Sequence, residues 1–183
     1  MKHYLSLPVT KEIALVQPTI QMAEDIFKLI DTDRQHLGEF LDFVDITKEV
    51  KDEENYLKMK LTGVANGTDY LFLIYYNQQL AGTIDLHFID LIHKKAEIGY
   101  WIHSSFARKG IMALVVDKVC AMSFEDLGLN KLSIKADIDN IPSNKVALKT
   151  GFSLVATHKE DIILHGTFSC LLYTSPSPRD RSL

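Results

Sequence analysis

The segment that decides the fold is Glu97-Ile-Gly-Tyr-Trp-Ile-His-Ser-Ser-Phe-Ala-Arg-Lys-Gly-Ile-Met-Ala113. Its apolar first part ends at Ile102 and reads as a strand. Small polar residues follow, then the basic pair Arg108 and Lys109, then Gly110. From Gly110 to residue 128 the apolar residues recur at helical spacing, and Gly128 is the expected stop. A helix N-terminus leaves backbone N–H groups unpaired and carries partial positive charge, so it attracts anions. Gly110 has no Cβ and lets an anionic group approach the backbone, while Arg108 and Lys109 add formal charge. A phosphate or pyrophosphate suits this arrangement. An ordinary strand-to-helix loop with exposed basic residues fits the same letters, since one glycine is a weak signal.

Working outward, residues 94–103 form the strand that enters the junction, and residues 130–138 alternate as the strand after the helix. Residues 140–152 read as a compact helix with Asn140 as cap, Pro142 in the first turn and Gly151 as stop. Capping accounts for Asn140 but leaves Ser143, three positions on, unexplained. Upstream, residues 69–89 read as a hairpin turning at Asn77-Gln78-Gln79. Residues 12–18 suggest a strand, residues 19–33 a helix capped by Thr19, and residues 34–45 a second short helix running into a loop. Residues 47–67 suggest a charged amphipathic helix, with Asp52 to Asn55 on its solvated face. Two strands around His165-Gly166 close the chain. Hairpins together with helical crossovers imply a mixed sheet in an α/β or α+β domain.

The chain has 183 residues, 46% of them hydrophobic and 24% charged, which suits one globular domain. A net charge of −4 argues against a nucleic-acid binder. Cys120 and Cys170 lack metal-ligand spacing, so no metal site is expected, and a reducing, cytoplasmic compartment is the simpler reading. Cys120 falls on the apolar face of the long helix. No stretch has the length of a membrane span, and the N-terminus has no signal-peptide pattern. The expected domain covers residues 1–173. Residues 174–183 are expected to be a disordered, non-native tail, because the string from Cys170 onward resembles adapter-derived sequence.

Residues 97–152 resemble the acetyl-CoA-binding core of the GNAT superfamily, and within it the Rim-type ribosomal-protein serine and alanine N-acetyltransferases. The likeness rests on the strand Glu97-Ile-Gly-Tyr-Trp-Ile102 and on Asn140-x-x-Ser143-x-x-x-Ala147-Leu148-x-x-Gly151-Phe152. Residues 29–45 resemble that branch's N-terminal helices, so the likeness spans most of residues 10–169. The resemblance implies a largely antiparallel mixed sheet splayed at its central strands, with helices on both faces.

It further implies that acetyl-CoA is the acetyl donor. Its pyrophosphate would rest on Ala107, Arg108, Lys109, Gly110, Ile111, Met112 and Ala113, and its pantetheine would pair along Trp101 and Ile102. A strand N–H near Tyr100 would stabilise the oxyanion. Asn140 would hold the pantetheine, and Ser143 would protonate the departing thiolate. This loop departs from the family pattern. Ala107 replaces a leading Gln or Arg, Arg108 stands where glycine is common, and Met112 takes the last small position.

The glutamate that some relatives use as base aligns with Ile162. Glu160, with Asp161 beside it, is the nearby candidate, and His158 is another; a solvated turn explains the same residues. Glu39, Phe40, Phe43 and Asp45, with Asp42 between them, are expected to face the acceptor, although an acidic surface helix packed through its phenylalanines is the plainer account. The acceptor would be a protein N-terminal α-amine. A small amine such as a polyamine, aminoglycoside or amino acid is the alternative, as is a binding module without turnover. Neither a nucleic acid nor a membrane is an expected partner, and the chain is expected to be a monomer or homodimer.

Overall fold

The computed structural model describes residues 5–176. Strands β1 (Ser6–Pro8) and β2 (Ile13–Val16) lead into four helices: α1 (Ala23–Asp31), α2 (Arg34–Gly38), α3 (Phe43–Ile46) and α4 (Val50–Asn66). Strands β3 (Tyr70–Tyr76), β4 (Gln79–Asp90) and β5 (Lys95–Ile102) follow, then α5 (Ile111–Glu125), β6 (Lys131–Asp137), α6 (Ile141–Lys149), β7 (Ser153–Leu164) and β8 (Thr167–Ser175). The eight strands lie in the order β1-β2-β3-β4-β5-β6-β8-β7. Every neighbouring pair is antiparallel except β5 and β6.

The hairpins form where the sequence places them, and the backbone shows why. Asn77 and Gln78 both take left-handed φ, 47° and 65°, as do His165 and Gly166 at 51° and 76°. Two successive left-handed residues make the tight turn that matches strand twist.

Several expectations change. Strand β1 was not anticipated. Thr19 makes no side-chain capping bond. The short helix is present, but the loop expected after it holds a further helix, α3, tied back to the first by Arg34. Its Nη1 and Nη2 donate to the carbonyls of Val44 and Thr47 at 2.7 and 2.6 Å. The domain limit at 173 falls inside β8: Thr174 and Ser175 are buried, and Ser175 Oγ donates to the Leu132 carbonyl at 2.6 Å. Residues 177–183 of the expected tail lie outside the described residues.

The sheet buries a separate core on each face. Ile84, Leu86 and Ile98 point to α5, whose Val115, Val116, Val119 and Cys120 are fully or almost fully buried. Leu71 and Leu73 point the other way, against Leu57 of α4 and Ile26 and Ile30 of α1. Alternation along each strand divides the side chains between these faces. Gly82 of β4 lies so close to β5 that a Cβ would sit 2.2 Å from the Trp101 carbonyl oxygen and 2.8 Å from Ile102 Cα. The two central strands therefore meet backbone to backbone there.

The α4 face also buries charge. Lys60 Nζ bonds Asp69 at 2.8 Å and Asp85 at 2.6 Å. Asp85 and Glu97 flank His87, at 3.0 and 3.4 Å, and Glu97 also pairs with Lys135 at 3.0 Å. Burial opposes the His87 charge, but the hydrogen bonds to Asp85 and Glu97 overcome it and raise its pKa to about 9. Burial likewise works against ionised Glu97, yet His87 and Lys135 hold its pKa below the ordinary carboxylate value.

Glu53 differs from these groups. Residues 52–55 were expected on a solvated face, yet Glu53 is 4% exposed. Glu53, Leu57, Lys60 and Gly63 are the buried residues of α4 and form the stripe that faces the sheet. Among the described residues Glu53 has no ion pair or hydrogen bond, and burial alone pushes its pKa up to about 7.

A raised carboxyl pKa favours the fold fully at pH values below the unfolded pKa. That contribution disappears as pH rises through the folded pKa. The Glu53→Gln variant should therefore match the parent near pH 4 and gain stability between pH 4.5 and about 7, up to about 3 kcal/mol. Urea denaturation at pH 5 and pH 8 measures this difference; an equal gain at both would contradict it.

Candidate active site

Strands β5 and β6 pair only at Lys95–Lys131, Ala96–Leu132 and Glu97–Ser133. Beyond those pairs β6 turns to β8, starting with Ile134 opposite Thr174. The remainder of β5 keeps β4 on one side and faces an opening on the other. The hydrogen-bond pattern decides which groups look into that opening. The His103 N–H donates to the Ala81 carbonyl at 2.9 Å, so that pair is hydrogen-bonded. Alternation then directs Trp101 and Gly99 to β4, and directs the N–H and C=O of Tyr100 and Ile102 into the gap. Of the two residues expected along the pantetheine, Ile102 offers its backbone there, whereas Trp101 uses its own in the sheet.

The side chains sort by face. Tyr100 points towards α6, and its Oη lies 3.0 Å from Ser143 Oγ and 3.2 Å from the Ser143 carbonyl. Burial pushes the Tyr100 phenol up to about 12, with the Ser143 hydrogen bond pulling against it, so the phenol stays neutral. Trp101 points to the α1–α4 face, where its ring lies 6.3 Å from that of Phe43.

Asn140 caps α6. Its Oδ1 accepts the Ser143 N–H at 3.1 Å, so capping explains the oxygen and leaves the amide nitrogen for another role. The corner before it is fixed by Asp137, which accepts from the Asp139 N–H at 2.8 Å and from the Ser169 hydroxyl.

At the β5–α5 junction Gly110 takes φ 76° and Arg108 takes φ 61°. The first helical bond runs from the Leu114 N–H to the Gly110 carbonyl. The N–H groups of Ile111, Met112 and Ala113 therefore have no partner within the helix. All three side chains are buried, so Met112 points into the core and does not block the mouth of the loop. The Lys109 ammonium lies 5.3 Å from the Phe106 ring centroid and 5.6 Å from that of Tyr76. Arg108 is exposed and makes no ion pair among the described residues. Ala107 is half-buried, and its N–H bonds the Ser104 carbonyl. Asp33, just after α1, accepts both the N–H and the hydroxyl of Ser104, at 2.6 and 2.7 Å. This bond ties the junction to the N-terminal helices and was not visible in the sequence pattern.

The other expected residues are spread more widely. Phe43 reaches the Trp101 side of the gap and Phe40 is half-buried, while Glu39 and Asp45 are exposed. Glu160 is exposed on β7, at φ 52° in an irregular stretch between His158 and Ile162. Because β8 lies between β7 and β6, Glu160 stands two strands, roughly 10 Å, out from β6. The His158 ring stacks on Tyr173, with Nδ1 3.7 Å from Asp161. The carboxylate that the fold brings to the root of the gap is Glu97, a residue of the opening segment whose side chain the sequence reading left unassigned. Period-two alternation from Trp101 puts it on the Trp101 face.

Comparison with known proteins agrees with this fold. Residues 12–153 match the family model for the acetyltransferase (GNAT) domain, and the chain belongs to that family. YdaF of Bacillus subtilis, provisionally named a ribosomal N-acetyltransferase, is 30% identical over 92% of this chain and 91% of its own. The ribosomal-protein-serine acetyltransferase of Escherichia coli is 24% identical over 89% and 91% of the two chains. Among solved structures, the microcin C7 self-immunity acetyltransferase MccE in complex with acetyl-CoA and AMP superposes with a TM-score of 0.87. It is 26% identical and covers 92% of this chain and 94% of that one. The fold is thus the GNAT fold, with a mixed, mostly antiparallel sheet and helices on both faces. No helix among the described residues is long and apolar enough to cross a membrane.

The junction should bind inorganic pyrophosphate through the α5 N-terminus and Arg108. Calorimetric titration should show several-fold weaker binding for Arg108→Ala. Lys109→Ala should cost less, because the Lys109 ammonium rests on two rings. Equal losses from both variants would count against this division of labour.

Proposed function

We propose that this GNAT enzyme transfers the acetyl group of acetyl-CoA to the α-amine of a protein N-terminus, of the ribosomal-protein type. The observation that carries the reading is the opening between β5 and β6, with the Tyr100 N–H on one wall and the Ser143 hydroxyl on the other. A thioester lying in that opening would meet a fixed N–H donor where its carbonyl oxygen gains charge. Its sulfur would face Ser143. The hydroxyl, backed by neutral Tyr100, would donate to the thiolate as the C–S bond breaks. The pantetheine would pair with Ile102 and accept from the free Asn140 amide, and the pyrophosphate would lie on residues 107–113. The similarity to YdaF and to the E. coli serine acetyltransferase favours a protein acceptor, and with it a cytoplasmic site of action. The catalytic domain in this reading runs through β8 and acts as a monomer or homodimer.

A small amine acceptor is the second reading. The similarity to MccE, whose structure holds AMP as well as acetyl-CoA, favours it. Thiol release from acetyl-CoA separates the two, using peptides that begin with Ser or Ala against a panel of polyamines, aminoglycosides and amino acids. Release with peptides supports the first reading, release with small amines alone supports the second, and binding without release would leave a module that has lost turnover.

Two variants test the site. Asn140→Ser keeps a cap but removes the amide donor, so thermal stability should hold while acetyl-CoA affinity falls by about tenfold. Ser143→Ala should lower kcat by about 10- to 100-fold and leave the acetyl-CoA Kd within about twofold. An unchanged kcat would remove Ser143 from the acid role.

A further inference from the structure

We propose that Glu53 is the group that binds the ammonium of the acceptor and takes its proton. The inference rests on the acetyl-transfer reading and supplies the base which that reading lacks.

The topology sets the position of Glu53. Helix α4 leads into β3, which starts with Tyr70 opposite Leu86, so its C-terminal end lies over the Leu86 end of β4. Lys60 marks the level of Asp85, which pairs across to Gly99. Glu53 lies seven residues earlier on the same face, about 10 Å along the helix, or three strand residues. That places it at the level of Trp101 and Ile102, whose segment forms one wall of the gap. Phe43, Val50, Tyr56 and Trp101 all pack into the core at this end of the helix. The residue is therefore buried on the face opposite Tyr100 and Ser143, with its carboxyl oxygens keeping a little contact with solvent, on the side from which an acceptor would approach the thioester.

Its chemical state suits the task. Glu53 is 96% buried, counting from its 4% exposure, and has no ion pair or hydrogen bond among the described residues. An unpaired buried carboxyl is costly unless a partner arrives. The titratable group whose charge state it affects is Tyr56; Lys60, Asp69 and Asp85 lie further along the same face. Lys60 is engaged by the two aspartates, and burial together with the charges of Asp85, Glu53 and Asp69 keeps the Tyr56 phenol protonated. A cationic amine would be the missing counter-charge. A terminal α-amine titrates near 8, and burial puts Glu53 at about 7, so proton transfer between them is nearly balanced. Glu97 is less suited, because His87 and Lys135 already occupy its oxygens.

The reaction balances as follows. The ammonium gives one proton to the Glu53 carboxylate, and the freed nitrogen pair forms the C–N bond. The oxyanion collapses, the C–S bond breaks, and the thiolate takes the Ser143 proton. The second proton of the nitrogen, lost as the amide forms, restores Ser143, and Glu53 returns its proton to solvent. One proton is released per turnover.

The test combines Glu53→Gln kinetics with carboxyl NMR. The variant should bind acetyl-CoA as the parent does, and thiol release with a Ser-starting peptide should fall by about 100-fold in kcat/KM. The acidic limb of the parent's pH–rate profile, near pH 7, should disappear. Full activity with the limb intact would overturn the proposal, and so would loss of acetyl-CoA binding, which would mark a structural role. In protein labelled with carboxyl-13C glutamate, the signal missing from Glu53→Gln should titrate near 7 and shift to lower pH when CoA and the peptide are added. An ordinary carboxylate midpoint, or one that ignores the amine, also overturns it. If the parent binds acetyl-CoA but releases no thiol with any acceptor, the transfer reading fails, and the NMR response to the amine still decides the role of Glu53.

Discussion

Strands β5 and β6 stay together for three residue pairs and then separate, and the rest of the molecule is arranged around that separation. A sheet that stops pairing leaves N–H and C=O groups without partners, and in a protein interior such groups require an occupant. On the β5 wall these are the groups of Tyr100 and Ile102. On the far side β6 is kept in place by β8, through Ile134 to Asp137 and through the Ser175 and Thr174 hydroxyls. One side of the sheet thus ends where another begins, and an extended ligand can add itself between them.

Both ends of the opening are fixed by local chemistry. At the root, Glu97 is gripped by His87 and Lys135, so the last paired residues are braced by charge. At the mouth, Asp33 holds the Ser104 backbone and links the N-terminal helices to the loop that presents the α5 N-terminus. The close approach of Gly82 to Trp101 sets the distance between the central strands. The wall of the gap is rigid for the same reason that protein interiors are: displacing backbone against backbone has no cheap solution.

The two faces of the sheet carry different chemistry. The α5–α6 face offers neutral hydroxyls and a positive helix end, which suit a leaving thiolate and a pyrophosphate. The α1–α4 face offers aromatic rings and one unpaired carboxyl beside paired charges, which in the proposed reading would suit an incoming amine. In the proposed reading, donor and acceptor would enter from opposite sides and meet at a single line of backbone. The unpaired carboxyl breaks a local rule of burial, as proteins do where they carry out chemistry, which is why the proposed role falls on it.

Much of this was legible in the letters. Apolar period fixes strands and helices, so residues 94–138 could be read almost to their ends, and Gly110, Asn140 and Gly151 mark element boundaries because backbone chemistry there is local. What depended on the fold was every contact between distant segments: Tyr100 reaching Ser143, Asp33 reaching Ser104, Arg34 tying α3 back to α2, and Glu160 being set on the outer hairpin. Glu53 shows the division best. Its spacing of four from Leu57 places it on the buried stripe, but four charged and polar residues in a row read as a solvated face. Only the packing of α4 on the sheet buries that residue, because burial is a property of what covers a residue and not of the residue itself.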